Sequence, residues 1–135
     1  MKNNSLQFLL LSLLIASCGG GGDGSSLELT VQQFSSFSVN EDDIYETVIT
    51  ASTNKTATIT YTISKPSANA NVTISNSGAL FYSPKPNYFG NDTFSITVLA
   101  TTDGQTGSYE SRTLNVNANV ISVNDPPTIV VNEDL

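Results

Sequence analysis

The chain has 135 residues, with twelve acidic and five basic side chains, a net charge of −7, no histidine, no tryptophan and one cysteine. So acidic a surface repels phosphate backbones and excludes nucleic acid as a partner, while the lack of histidine excludes a Ser-His triad and any histidine-ligated metal. The length leaves room for about one domain of roughly 100–150 residues.

The N-terminus carries one lysine within Met1 to Ser5, then an apolar run from Leu6 to Ile15, then Ala16-Ser17-Cys18. The run is shorter than the ~20 apolar residues of a membrane-spanning helix and reads as an export signal. Loss of Lys2 with that signal makes the charge balance more acidic still. Such a balance suits divalent cations or a high-salt exterior, or is simple colloidal solubility. Ile15-Ala16-Ser17-Cys18 resembles the lipobox of bacterial lipoproteins, which implies that residues 1–17 are a lipoprotein signal peptide and that Cys18 is acylated and becomes the new N-terminus. The alternative is a stray signal-peptide cysteine, but an unpaired thiol in an exported protein needs a reason. Several acyl chains on one residue anchor stably, at about 0.8 kcal/mol per buried methylene. Gly19, next in the chain, resembles the corresponding position of lipoproteins sent to the outer membrane. The implied location is lipid-anchored at that membrane, on the cell surface or the periplasmic face. Residues 18–26, rich in glycine and serine, form a flexible tether.

From Leu27 the hydropathy alternates with period two. Thr56-Ala57-Thr58-Ile59-Thr60-Tyr61-Thr62-Ile63 has threonine at every even position and apolar or aromatic residues at the odd ones, which predicts a half-buried strand. The pattern returns in Phe94-Ser95-Ile96-Thr97-Val98 and in Leu114-Asn115-Val116-Asn117-Ala118-Asn119-Val120. No window shows helical spacing, so the fold class is all-β. The predicted strands cover 28–39 (broken near Ser35-Ser36), 45–51, 56–64, 71–75, 79–83, 93–100 and 109–123. The segments between them are rich in turn formers. About seven short antiparallel strands fit a β-sandwich over residues 27–125. Its inward set is Val31, Phe37, Val39, Val48, Ile59, Tyr61, Ile63, Val72, Ile74, Leu80, Tyr82, Phe94, Ile96, Val98, Leu114, Val116 and Val120.

Val39-Asn40-Glu41-Asp42 recurs as Val131-Asn132-Glu133-Asp134, a separation of roughly 90 residues, which is the period of a tandem array of whole domains. Residues 126–135 then read as a linker and the first strand of a second repeat. Together with this box, Gly78-Ala79-Leu80-Phe81-Tyr82-Ser83-Pro84, Asn87-Tyr88-Phe89-Gly90-Asn91-Asp92-Thr93-Phe94 and Val123-Asn124-Asp125-Pro126-Pro127 resemble the bacterial cadherin-like and immunoglobulin-like tandem repeats of large surface proteins. That resemblance covers residues 39–127 and implies a Greek-key β-sandwich. Gly90 supplies a turn that a residue with a Cβ would strain, Tyr88 and Phe89 plug the bottom of the sandwich, and Pro126-Pro127 stiffens the joint to the next unit. These aromatics read as packing at a corner in preference to ligand stacking.

The resemblance also implies calcium between repeats, where a hard cation takes about six to eight oxygens: Glu41, Asn124 and Asp125 match ligand positions at the joint to the next repeat, and Asp103 resembles the acid that serves an upstream joint. Ser122 stands where the linker of cadherin repeats has its first aspartate, and the alternative is that these are solvated loop acids. A catalytic carboxylate pair would need a cleft, which a single sandwich of this size does not imply, so the expected function is non-enzymatic. The reading is a surface-anchored adhesion or stalk module whose partners are the membrane, through its lipid, and a protein or glycan. The alternative is a self-contained lipoprotein whose own sandwich binds glycan or protein. Tyr45 and Tyr109 are the rings expected to be exposed for such binding.

Overall fold

A computed structural model describes residues 26–102 and 107–124. Nine strands are formed among them: β1 (Leu29–Val31), β2 (Ser36–Asn40), β3 (Tyr45–Val48), β4 (Ala51–Thr53), β5 (Thr58–Lys65), β6 (Ala70–Ile74), β7 (Ala79–Pro84), β8 (Gly90–Thr101) and β9 (Tyr109–Ile121). A four-stranded sheet runs in the order β2-β9-β8-β5, and β3-β7-β6 and β1-β4 form the remaining pairings. Among the described residues there is no helix, as the period-two pattern requires.

The first predicted strand breaks where expected, and the break has a topological purpose. β1 pairs antiparallel with β4, whereas β2 pairs parallel with β9. Gln32 N donates to Thr50 O at 2.9 Å on one side of the break, and Asn117 N donates to Ser35 O at 2.9 Å on the other. The chain thus changes sheets between Gln32 and Ser35 with its backbone groups paired up to the crossing. The parallel β2–β9 pair departs from the all-antiparallel expectation. It also places the end of β2 beside the end of β9, so that Asn40 faces Ile121.

β3 and β4 are two halves of one run, joined through Ile49, whose N–H donates to Gly78 O at 2.9 Å. Gly78 has φ +82°, and a Cβ there would lie 2.2 Å from Ile49 O, so only glycine fits. This run corrects one expected core residue. Val48 is 53% exposed, while Ile49 is 1% exposed. The register decides it: Thr47 lies opposite Leu80 and Tyr45 opposite Tyr82. Both partners are buried, so the odd positions of β3 must face inward, and a shift of one residue would turn every side chain round.

The other members of the expected inward set lie in the core or pack against it, joined by Leu27, Leu29, Ala100 and Ala118. An aromatic group forms the centre. Phe37 stacks on Tyr45 at 3.9 Å and meets Tyr82 edge-on at 5.1 Å, and Tyr82 lies 5.8 Å from Phe94. Each such side chain contributes about 1.5–3 kcal/mol on burial, which explains how a domain without tryptophan holds together. Tyr45 is therefore a core ring and not the exposed one expected, whereas Tyr109 is exposed.

Candidate functional site

The Asn-Glu-Asp box sits where β2 ends beside β9. Asn40 closes the parallel ladder opposite Ile121, and the next amide, Glu41 N, donates to Ile121 O at 2.8 Å. Asp43 N then donates to Asn40 O at 3.3 Å, forming a turn with Asp42 at φ 66°, a conformation that aspartate tolerates better than most residues. Asn40 Nδ2 donates to Asp43 Oδ2 at 3.0 Å. This turn tucks Glu41 inward to 5% exposure. Its Oε1 accepts from Val123 N at 2.6 Å and from Ser122 Oγ at 3.0 Å. Hydrogen bonds to a charged acceptor contribute about 1.5–3 kcal/mol. Glu41 thus grips the chain at the point where it leaves the sandwich.

That geometry bears on the expected calcium ligands. Glu41 and Asn124 are brought to the same end of the sandwich, while Asp103 and Asp125 lie outside the described residues. Ser122 does not supply the negative oxygen that an aspartate would; it donates a proton to Glu41. With Oε1 engaged twice, the described part of the set offers Glu41 Oε2 and Asn124, short of the about six to eight oxygens calcium takes. Among the described residues, no group of three or more acidic, cysteine or histidine side chains is placed to hold a metal ion. Cys18, Pro126 and Pro127 also lie outside the described residues.

The corner motif is built differently from the expected plug. Tyr88 N donates to Lys85 O at 3.0 Å across a turn with Asn87 at φ 59°. The Tyr88 ring packs on the core and its hydroxyl donates to Asn91 O at 2.7 Å. Phe89 is 62% exposed, because consecutive residues entering a strand point to opposite sides. Gly90 takes φ +120° as it opens β8 opposite Val120, which makes glycine necessary there.

Sequence reading passed over the residue beneath this corner. Asp92 is 4% exposed. Its Oδ2 accepts from the Tyr82 hydroxyl at 2.9 Å and from Ser67 Oγ, and its Oδ1 accepts from Thr93 N at 2.9 Å. Ser67 Oγ in turn accepts from Asn69 N and Ala70 N, at 3.0 and 2.7 Å. One carboxylate thereby joins β7, β8 and the β5–β6 connection. Burial, and then the bond to Asp92, push the Tyr82 phenol well above its usual pKa. The available signal was parity: Asp92 shares the inward register of Phe94, Ile96 and Val98, where an acid must be buried and satisfied.

Comparison with known proteins agrees with this architecture. The family model described as the bacterial Ig domain matches residues 29–119, from the first residue of β1 nearly to the end of β9. The chain belongs to the bacterial Ig domain family. Membership points to a surface or adhesin-type β-sandwich module, and bacterial Ig domains are in general non-catalytic. Among curated proteins no sequence matches this bacterial Ig domain chain. Among solved structures it resembles a nucleoside hydrolase-related hypothetical protein from Saccharophagus degradans that is associated with carbohydrate metabolism, with 13% identity and a TM-score of 0.46. The likeness covers 71% of this chain and 26% of that one, so the chain spans about a quarter of that protein's length.

Proposed function

We propose that this bacterial Ig domain is a non-enzymatic spacer of a surface protein, anchored in the outer membrane through lipid on Cys18 and lifted from it by the tether of residues 18–26. Residues 126–135 begin a second unit, and partner-binding regions are carried outward on the array. The observation that carries this reading is the grip of Glu41 on Ser122 and Val123. A domain with no successor gains little from ordering the backbone beyond its last strand, whereas a stalk needs each exit held at a set angle. The grip also explains the recurrence of the Asn-Glu-Asp box: Glu133 would hold the exit of the following unit as Glu41 holds this one. Calcium at Glu41, Asn124 and Asp125 is proposed as an addition to this hydrogen-bonded joint and not its foundation, with Asp103, in the β8–β9 connection that leaves from the other end of the ladder, serving an upstream joint.

Anchoring is tested by expressing the full chain in a Gram-negative host supplied with labelled palmitate. The label and the chain should both appear in the outer-membrane fraction, and both should be lost from it in Cys18→Ala. An unlabelled, soluble chain with Cys18 intact overturns the anchored reading.

A further inference from the structure

The outer face of the four-stranded sheet carries an open groove of about 260 Å³, lined by Lys65, Thr93, Ser95, Asn115 and Asn117 and by the main chain at Phe94 and Val116, whose side chains are buried in the core. Lys65 reaches it through an irregularity in the ladder. Ile63 lies opposite Ile96, but the next pair is Lys65 with Ser95, so one residue of β5 is skipped. Strict alternation would place Lys65 on the inward side with Ile63. The bulge turns it outward instead, and bulges commonly re-aim a side chain at a functional surface. The Lys65 ammonium donates to Thr93 Oγ1 at 3.4 Å. Among the described residues, the ion pair formed is Arg112 with Glu110, not one with Lys65.

The groove is arranged to donate. Ser95, 7% exposed, gives its hydroxyl proton to Asn115 Oδ1 at 2.9 Å. That bond occupies the amide oxygen, so the Nδ2 hydrogens are what Asn115 offers to the groove that it lines together with Lys65. The surrounding face is free of carboxylates: its rows are Ser38-Asn119-Asn91, Ser36-Asn117-Thr93, Asn115-Ser95-Lys65 and Thr113-Thr97-Thr62. On a chain with twelve acids and five bases, an acid-free surface with one cation is where an anion is least repelled. Charges farther away than about 8 Å are largely screened at physiological ionic strength.

We propose that this groove binds the carboxylate of a uronic acid within an acidic polysaccharide, with Lys65 and Asn115 holding the carboxylate and the neutral hydroxyl and amide rows taking the neighbouring sugars. A glycan fits better than an acidic peptide. A peptide must re-pair its desolvated main-chain amides, which a sheet edge provides and a sheet face does not, whereas sugar hydroxyls pair with threonine, serine and asparagine side chains. The proposal does not depend on the spacer reading, since either a stalk unit or a solitary lipoprotein could carry such a face.

The test is affinity electrophoresis of the full chain in non-ionic detergent, in gels containing polygalacturonate, dextran or poly-glutamate. Retardation by polygalacturonate alone is expected, weakened roughly tenfold by Lys65→Gln, as for loss of one charge-assisted bond, and abolished by Asn115→Asp. Lys85→Gln should leave it unchanged, because the Lys85 ammonium is bound to Ala68 O at 2.7 Å away from the groove. Circular dichroism melts of each variant establish that it is folded. No retardation of the folded wild type, equal retardation by poly-glutamate, or indifference to Lys65→Gln overturns the proposal.

Discussion

Glu41 and Asp92 are both withdrawn from water, at 5% and 4% exposure, yet they are used differently. Asp92 lies between the sheets and is bonded by two side-chain hydroxyls and a backbone amide, drawn from three segments of the same domain. Glu41 lies at one end and is bonded by the backbone and hydroxyl of the residues that lead out of the domain. A buried carboxylate whose donors come from inside the unit stabilises that unit. One whose donors come from the departing chain orients whatever comes next. The same chemistry therefore serves folding in one place and assembly in the other.

The largest test of this division is Asp92→Ala. It leaves the buried Tyr82 hydroxyl and the half-buried Ser67 hydroxyl without their acceptor, and unfolding in urea should show a loss of about 3 kcal/mol. Tyr82→Phe removes one donor and leaves Asp92 bonded twice, so its cost should be smaller, about 1–2 kcal/mol. A loss below about 1 kcal/mol for Asp92→Ala would mean that the buried network contributes no more than surface contacts do.

A pH titration sharpens the same point with a smaller effect. The folded-state pKa of Tyr82 is raised above its ordinary 10.0 by burial and by Asp92. Below pH 10 both states hold the phenol proton and the contribution is constant. Above it the unfolded chain ionises first and binds fewer protons than the native one, so stability falls as pH rises. The decline should approach about 1.4 kcal/mol per pH unit from this group, and Tyr82→Phe should flatten it. An equally steep decline in Tyr82→Phe would assign the alkaline loss to other groups, Tyr61 among them, whose pKa burial also raises.

The two carboxylates also differ in how far the sequence disclosed them. Glu41 was legible because its box recurs and because a known repeat resembles it, although its partner Ser122 was read only as a missing aspartate. A hydroxyl that donates to a carboxylate carries no pattern of its own; it becomes visible only when β2 and β9 are laid side by side. Strand identity was legible wherever one parity held all the apolar residues, as in β5 and β9. It failed in β3, where Ile44 and Val48 fall on one parity and Tyr45 and Ile49 on the other, so that alternation could not choose and the register with Leu80 and Tyr82 did. The crossing between Gln32 and Ser35 showed in the sequence as a break, but its consequence, a parallel β2–β9 pair, is a long-range pairing that no local window contains. Lys65 was hidden for a similar reason: a single skipped residue reverses the face that alternation assigns.

Glu41→Ala is the smallest effect on stability and the most decisive for the comparison. If Glu41 serves the exit and not the core, the substitution should lower global stability by about 1 kcal/mol. Hydrogen exchange at the Val123 amide should accelerate roughly tenfold or more, because local opening replaces a protected state. Amides at Ile96 and Val98, in the middle of β8, should follow only the small global change. Repeating the exchange with millimolar calcium and with chelator separates the two proposed components of the joint. Protection of Val123 that survives chelation belongs to the hydrogen bonds, and extra protection in calcium belongs to the ion. Protection lost entirely on chelation would make the ion the foundation of the joint. Equal acceleration at Val123, Ile96 and Val98 in Glu41→Ala would show that the exit and the core open together. Glu41 would then belong with Asp92, as a second pin of the same unit, and the joint to the next domain would need another source of rigidity.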